Sequence, residues 1–242
     1  MKEQGKFYVV STPIGNLEDM TYRAVRVLQE VDLILCENQK NSLKLLNHFG
    51  IKIPAKTLYK NNTDDNSLGW IYRELKSGKN LAYISDAGTP GVSDPGSVLV
   101  KYLRDCDVDI VPIPGASALS TLLSVSGAQA NPSVFLGFLP PKEGKKRKLL
   151  EGYQKEELVL VCFESVHRVE ATLSLIREIF PLSEILVGRE MTKVHEEYIF
   201  IPSGDEPGKF TTKGEFAILV NNRVKKITKG RKLKTDIQKK ER

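Results

Sequence analysis

The first half of this 242-residue chain alternates short β-branched runs with amphipathic segments. Helical spacing recurs, for example, at Met20, Ala24, Val27, Leu28 and Val31. A β/α alternation of this kind restricts the fold strongly, because parallel strands need crossover helices that cover the sheet. The sequence therefore predicts a mainly parallel sheet, with strands at residues 7–10, 32–37, 58–60, 81–85 and 110–113.

The second half of the chain has the pattern of a further α/β unit. Val166, Val169, Leu173, Ile176 and Phe180 are spaced as on one face of a helix. Strand patterns occur at 158–164, 185–188, 197–201 and 216–220, and segment 132–141 resembles a linker that contains a short strand. We expect an α/β protein with two α/β domains and a cleft between them: an N-terminal domain over 1–127, a smaller C-terminal domain over 128–222 and a basic tail over 223–242.

Charge is distributed unevenly along the chain. The net charge is +6, yet residues 223–242 alone contain 10 Lys or Arg and 2 Asp or Glu. A basic segment of this kind is typical of an electrostatic contact to nucleic acid or an anionic membrane, and equally of a solvated end. A second basic run at 142–148 is open to two interpretations, an RNA contact or the solvated start of a helix.

The cysteines and the apolar runs indicate the cellular compartment in which the protein is expected. Cys36, Cys106 and Cys162 show neither CxxC nor Cys/His metal spacing, and each has apolar neighbours, as buried reduced thiols do. The apolar runs are too short to span a bilayer, and the N-terminal run lacks the length of a signal-peptide core. We expect a cytoplasmic protein without a metal or a membrane segment.

Three loops rich in glycine and proline follow predicted strands, at 11–16, 85–91 and 112–117. In open α/β sheets, ligands bind at the carboxyl ends of strands, and glycine lets the backbone approach a ligand closely. Neither GxGxxG nor GxxxxGK[ST] occurs, so the phosphate cradles of dinucleotide and triphosphate sites are absent from the sequence. Together the loops predict one pocket for a nucleotide-like ligand.

The same loops carry a family resemblance. Residues 8–21, YVVSTPIGNLEDMT, and 85–96, SDAGTPGVSDPG, resemble the ribosomal RNA small subunit methyltransferase I family of the tetrapyrrole methylase superfamily. Further matches are collinear and include GFLP at 137–140, FESVHR at 163–168 and REMTKVHEE at 189–197. The resemblance implies a two-domain methylase and homodimer that binds S-adenosylmethionine in the cleft and methylates the ribose 2′-hydroxyl of a cytidine in small-subunit ribosomal RNA.

The resemblance also implies residue roles. The cofactor would contact Pro13, Gly15, Asp86, Gly88, Thr89, Pro90, Val92, Ser117, Ala118 and Ala217. Methyl transfer to a hydroxyl needs in-line alignment and a base, or a cation that stabilises the developing alkoxide. The catalytic candidates are Lys193, Glu190 and Glu164, although Glu190 and Lys193 could equally form a surface ion pair. Candidates for RNA contact are Lys40, Arg168, Lys145, Lys146 and Arg147.

The chain departs from the family at some positions. It has Glu-Asn-Gln-Lys at 37–40 where the family usually has Glu-Asp-Thr-Arg, and Val166 where proline is common. Three hypotheses stay open. The chain is a ribose methyltransferase that acts on small-subunit ribosomal RNA or the 30S subunit, a methylase of a tetrapyrrole-type small molecule, or a non-catalytic RNA-binding or ribosome-assembly factor that retains the fold.

Overall fold

The computed structural model describes residues 3–58, 65–94 and 96–223, without the side chains of 65–67. Within these ranges the chain forms two five-stranded sheets. Of the predicted basic tail, only Arg223 lies in the described part, and residues 59–60 of the predicted third strand also lie outside it.

The first sheet is parallel throughout, which confirms the β/α prediction. Its strand order is β3-β2-β4-β1-β5. The third strand forms earlier than the predicted 58–60, and Leu58 only continues the pairing by donating its N–H to the carbonyl of Cys36. The strands are β1 (Phe7–Val10), β2 (Leu33–Cys36), β3 (Ala55–Thr57), β4 (Leu81–Ile84) and β5 (Ile110–Ile113).

Helices cover both faces of this sheet. On one face lie α1 (Tyr22–Glu30) and α2 (Gln39–His48), and on the other α3 (Asp65–Lys76) and α4 (Gly96–Asp105). The crossover from β1 to β2 therefore uses one face, and the crossover from β4 to β5 uses the other. Since β1 and β4 are adjacent, the direction of winding reverses between them, and open α/β sheets bind ligands at such a switch point.

Side-chain caps fix where the helices begin at this edge. Thr21 Oγ1 accepts the N–H of Ala24 at 3.1 Å before α1, and Asn38 Oδ1 accepts the N–H of Lys40 at 3.0 Å before α2. Asp94 Oδ1 accepts the N–H of Gly96 at 2.8 Å at the start of α4. The loops that precede these helices are thereby held over the carboxyl ends of the strands.

The second sheet is mixed, with order β6-β7-β10-β8-β9. The β6–β7 pair is parallel and its other pairs are antiparallel. Segment 132–141, predicted as a linker that contains a short strand, contributes a six-residue edge strand, so the second sheet has as many strands as the first. The strands are β6 (Ser133–Phe138), β7 (Val159–Ser165), β8 (Glu184–Arg189), β9 (Glu197–Ile201) and β10 (Glu215–Asn221), and one face carries α6 (Glu143–Glu151) and α7 (Val169–Ile179).

The helix α5 (Ala118–Val125) joins the two units. It follows β5 in sequence, yet Leu122 packs with residues of the second sheet such as Val161 and Leu219. Gly188 makes this contact possible, because a Cβ there would lie 2.9 Å from Leu122 Cδ1. The predicted boundary after residue 127 falls just past this helix, whereas packing on the second sheet begins with the helix itself.

The structure also bears on thiols, membranes and metals. All three cysteines are free, with Cys36 and Cys162 buried and Cys106 half-buried. Burial raises the pKa of Cys162 to about 12, so its thiol stays protonated at neutral pH. No helix in the described ranges is long and apolar enough to cross a membrane. The same ranges contain no group of three or more His, Cys, Asp or Glu residues that could hold a metal ion.

Candidate functional site

Hydrogen bonds join the three glycine- and proline-rich loops. Thr12 and Gly88 exchange two backbone hydrogen bonds of 2.9 and 3.1 Å. Ser11 Oγ donates to Thr89 Oγ1 at 3.1 Å, and Thr89 Oγ1 donates to the carbonyl of Ala116 at 3.2 Å. The loops after β1, β4 and β5 therefore form one surface at the switch point.

A cavity of about 560 Å³ lies between this surface and the second sheet. The second wall is formed by residues 163–166 at the end of β7, by Met191 after β8 and by residues 214–217 at the start of β10. Because β10 is antiparallel to β7 and β8, these three segments meet at one edge of the second sheet. The cavity is of a size usual for small-molecule sites and occupies the predicted cleft.

Most of the residues predicted to contact a cofactor line this cavity. Pro13, Gly15 and Pro90 do not. Gly15 instead faces the second unit, where a Cβ would lie 2.4 Å from Lys193 Cγ and 2.8 Å from Thr192 Oγ1. Its missing side chain therefore lets the loop after β8 approach the first loop. The lining residues from the predicted set are Asp86, Gly88, Thr89, Val92, Ser117, Ala118 and Ala217.

Glu164 lies at the cavity wall but is buried in a network of hydrogen bonds. Its Oε2 accepts from Lys146 Nζ at 3.0 Å and Thr172 Oγ1 at 2.7 Å, while Oε1 accepts from the Ser165 N–H at 2.8 Å. Arg168 forms an ion pair with Oε1 at 2.7 Å. Burial alone would raise the pKa of Glu164, but the bonds from Ser165, Thr172 and Lys146 hold it below its usual value. The carboxylate stays ionised and its oxygens are occupied.

Lys146, which was predicted to contact RNA, belongs to this network instead. Lys146 is only 5% exposed, because it lies one helical turn from buried Leu150 on the inner face of α6. The guanidinium of Arg168 is likewise engaged, by Glu164 and by Ser165 Oγ at 3.0 Å. The Lys146 ammonium is therefore shielded from a phosphate, whereas Arg168 remains partly exposed.

The remaining residues that were predicted to contact RNA differ in their exposure and in their ion pairs. Arg147 forms two hydrogen bonds to Glu178, at 2.6 and 2.8 Å, and is half-buried. Lys40 and Lys145 are exposed, and neither ammonium has a partner within the part of the chain that the structure describes. These two side chains remain available to an anion.

Lys193 holds two carboxylates at the rim of the cavity. Its Nζ lies 2.9 Å from Glu190 Oε1 and 2.9 Å from Glu215 Oε2, and Glu190 Oε1 also accepts the N–H of Glu215 at 2.9 Å. Burial would lower the pKa of Lys193, but the bonds to Glu215 and Glu190 raise it. Burial would raise the pKa of Glu190, and Lys193 with the Glu215 N–H lowers it. Only Glu215 of the three lines the cavity.

The loop after β8 has a backbone conformation that the sequence did not predict. Glu190 and Thr192 have φ angles of 48° and 67°, and Thr192 is β-branched, for which positive φ is rare. Thr192 Oγ1 is also buried without a partner among the described residues. Between them, Met191 lines the cavity. Backbone strain of this kind clusters at binding sites.

Asn38, where the family usually has aspartate, can fill the same structural role. Its amide oxygen caps α2, a role that asparagine fills as well as aspartate does. Gln39 donates to the carbonyl of Ala55 at 2.9 Å, and Lys40 points to solvent. The substitutions at 38 and 39 therefore preserve the helix start, and Glu37 still lines the cavity.

Five carboxylates line the cavity, and four of them accept hydrogen bonds of about 3 Å or less from other groups of the protein. Besides Glu164 and Glu215, Asp94 accepts from two backbone N–H groups at 2.8 Å and from Tyr83 Oη at 3.1 Å. Asp86 Oδ2 accepts from Asn41 Nδ2 at 2.9 Å. Glu37 has one long hydrogen bond, 3.4 Å from the N–H of Asp86 to its Oε2, and no other partner among the described residues. No pattern in the sequence singled out Glu37.

Comparison with known proteins agrees with this geometry. The chain matches the family Tetrapyrrole (Corrin/Porphyrin) Methylases over residues 6–205. A protein of Leptospira biflexa named ribosomal RNA small subunit methyltransferase I is 47% identical over 238 residues, 98% of either chain. A protein of the same name from Coprothermobacter proteolyticus is 43% identical over 213 residues, 88% of this chain and 96% of that one.

Solved structures show the same fold. The uroporphyrin-III C-methyl transferase of Thermus thermophilus, complexed with S-adenyl homocysteine, superposes with a TM-score of 0.62 at 18% identity, covering 90% of this chain and 98% of that one. At that identity the likeness concerns the fold alone. The family match and the close relatives go further, and the chain belongs to the tetrapyrrole methylase family and, within it, to the ribosomal RNA small subunit methyltransferase I family.

Proposed function

We propose that this chain transfers a methyl group from S-adenosylmethionine to the ribose 2′-hydroxyl of a cytidine in small-subunit ribosomal RNA. The observation that carries the proposal is the cavity between the joined loops and the second sheet. The relatives that are 47% and 43% identical to this chain are named ribosomal RNA small subunit methyltransferase I. The nucleoside and the hydroxyl come from the family resemblance.

The residues present fit this cofactor. Ile14, Val92, Met191 and Phe216 give the cavity apolar surface for an adenine ring, and Asp86 adds a carboxylate that can accept hydrogen bonds from ribose hydroxyls. Gly88 keeps the second loop free of a side chain at the cavity. Bound there, S-adenosylmethionine supplies a sulfonium methyl that leaves its bonding electron pair on sulfur.

Glu37 is the carboxylate that we propose accepts the proton of the ribose hydroxyl. As the oxygen bonds to the methyl carbon it must lose its proton, and a positioned base assists that loss. Glu37 has an oxygen free of partners in the described part of the chain, whereas the oxygens of Glu164 are occupied. Glu164 then serves to hold α6 and α7 against the end of β7.

For Lys193 and Glu190 we propose a positioning role. The two hydrogen bonds of Lys193 fix the loop after β8 to the start of β10, and Gly15 leaves room for it against the first loop.

The proposed acceptor is small-subunit RNA, either free or in the 30S subunit, bound by a homodimer in the cytoplasm. Lys40 and Lys145 are the exposed cations of the predicted set that support it. Sedimentation of the purified protein tests the dimer.

One assay tests the function. The protein is incubated with radiolabelled S-adenosylmethionine and unmethylated small subunits, free ribosomal RNA or a tetrapyrrole. Label in ribose of the RNA is the expected result. Label in the tetrapyrrole would assign the small-molecule alternative, and tight binding of S-adenosylhomocysteine with no transfer to any acceptor would assign the non-catalytic one.

A variant series tests Glu37. We expect Glu37→Gln to lower kcat at least about tenfold, since base catalysis contributes 10²- to 10⁴-fold in typical cases, and to leave S-adenosylhomocysteine affinity unchanged. Glu37→Asp should retain part of the activity. Wild-type kcat in Glu37→Gln would remove Glu37 from the mechanism.

A further inference from the structure

The edge strand β6 contains a bulge next to the cavity. Phe135 pairs with Val161, but Phe138 pairs with Phe163, so three steps on β6 oppose two on β7. Gly137 lies inside the bulge with a φ of 61° and open space on its Cβ side. Bulges near functional sites redirect a side chain, and the next side chain here is Phe138.

Phe138 presents its ring at the mouth of the cavity. The side chain is 60% exposed and lines the cavity together with Phe163. The two rings meet edge to face with centroids 5.5 Å apart, and Phe163 packs against Phe135 at 4.9 Å in the same manner. One side of Phe138 is therefore supported by packed aromatic residues, while much of the ring is left to solvent.

Exposed cations follow the ring in sequence. Lys142 at the N-cap of α6, and Lys145 and Lys148 within the helix, are exposed at three-residue spacing and have no ion-pair partner among the described residues. The buried pair of Lys146 and Glu164 fixes this helix to the cavity wall. An aromatic surface beside unpaired cations is the arrangement that binds single-stranded nucleic acid.

We propose that Phe138 is the platform on which the base of the target nucleotide stacks, with the lysines of α6 along the RNA backbone. This inference rests on the proposed function and adds a substrate-binding residue to it. Sequence-specific RNA recognition mostly targets nucleotides that are not held in a helical stack, and an aromatic ring can replace the neighbouring bases as a stacking partner. A base held at the mouth leaves its ribose directed into the cavity.

The test compares Phe138 with a matched phenylalanine. Phe200 on β9 lies on the opposite edge strand of the same sheet, is 55% exposed and does not line the cavity. Equilibrium binding to unmethylated small-subunit RNA and KM for that RNA are measured for Phe138→Ala, Phe138→Leu, Phe138→Trp and Phe200→Ala. S-adenosylhomocysteine affinity is measured in parallel by calorimetry.

We expect Phe138→Ala to weaken RNA binding and raise KM about ten- to a hundredfold, in line with the loss of one stacked base. RNA binding should remain weak in Phe138→Leu and should return towards the wild-type affinity in Phe138→Trp, because stacking requires the aromatic ring and not only its apolar area. Phe200→Ala should behave as wild type, and S-adenosylhomocysteine affinity should change less than RNA affinity in every Phe138 variant.

Three results would overturn the platform. These are wild-type RNA affinity in Phe138→Ala, equal affinity in Phe138→Leu and Phe138→Trp, or an equal loss in Phe200→Ala. Because RNA binding is measured without methyl transfer, these results decide the role of Phe138 separately. Failure of the wild-type protein to bind S-adenosylhomocysteine would instead refute the proposed function.

Discussion

Lys146 and its neighbour Lys145 belong to the same basic run but have different environments. Lys145 extends into solvent, whereas Lys146 turns inward and pairs with Glu164 at the end of β7. A buried ion pair adds little stability over apolar residues, but removal of one partner leaves the other charge uncompensated. Burial, which composition does not reveal, therefore separates a structural lysine from one that can bind RNA.

The first prediction concerns this pair. Lys146→Met keeps the side-chain volume but removes one charged hydrogen bond from the buried carboxylate of Glu164, which keeps Arg168 as its cation, so we expect the free energy of unfolding to fall by about 2 kcal/mol. The control Lys145→Met should change it by less than about 0.5 kcal/mol. Urea unfolding measures both. Equal stability of the two variants would show that the buried pair contributes nothing.

The second prediction follows from the pKa of Glu164, which is lowered in the folded protein. A depressed carboxyl pKa stabilises the fold above the unfolded value, about 4.3 for Glu, and this stabilisation is lost as pH falls through the folded value. Glu164→Gln should therefore be less stable than wild type at pH 7, and the difference should shrink below about pH 4. Unfolding free energies at several pH values measure it, and a constant difference would contradict the prediction.

At the scale of elements, the three loops act as one unit because Ser11, Thr12 and Thr89 join them. Thr12 Oγ1 donates to the carbonyl of Ser85 at 3.3 Å, in addition to the paired backbone bonds with Gly88. A change in one loop should therefore disturb the wall formed by all three.

Gly88 and Gly50 offer a matched pair for a third prediction. Both have positive φ, 77° and 64°, so alanine should cost each about 1 kcal/mol of stability. Only Gly88→Ala places a methyl 3.3 Å from Ile14 Cγ2, whereas Gly50 has open space. We expect calorimetry to show weaker S-adenosylhomocysteine binding in Gly88→Ala alone, by about tenfold. Equal affinity in the two variants would remove the second loop from the site.

Periodicity predicted most elements, because strands buried on both faces and amphipathic helices leave strong patterns. It indicated α2 only in general terms, as one of the segments between strands, because the apolar positions of this helix are few and its start depends on the Asn38 cap. The candidate site was predictable where glycine and proline mark loops. The roles of Glu37, Met191 and Phe138 were not, because they depend on long-range pairing, a strained loop and a bulge.

Across the whole molecule, positive charge is concentrated rather than spread. Residues 1–222 contain 26 Lys or Arg and 28 Asp or Glu, so the excess lies in residues 223–242. Residues 224–242 are outside the described part of the chain. Within the described part, exposed lysines lie at the N-cap of α6 and along it, and these lysines can be tested separately from the tail.

The last prediction asks whether RNA binding depends on the lysines at α6 or only on the net charge of the protein. Each phosphate contact to single-stranded RNA contributes about 0.7 to the slope of log K against log salt, so Lys142→Gln, Lys145→Gln and Lys148→Gln together should reduce that slope by about 2. Filter binding across salt concentrations measures it. A control triple, with glutamine at three exposed lysines away from the cavity lining, changes net charge equally and should leave the slope nearly unchanged: Lys52, Lys155 and Lys209. Equal changes in both triples would mean that RNA responds to net charge and that α6 lies outside its path.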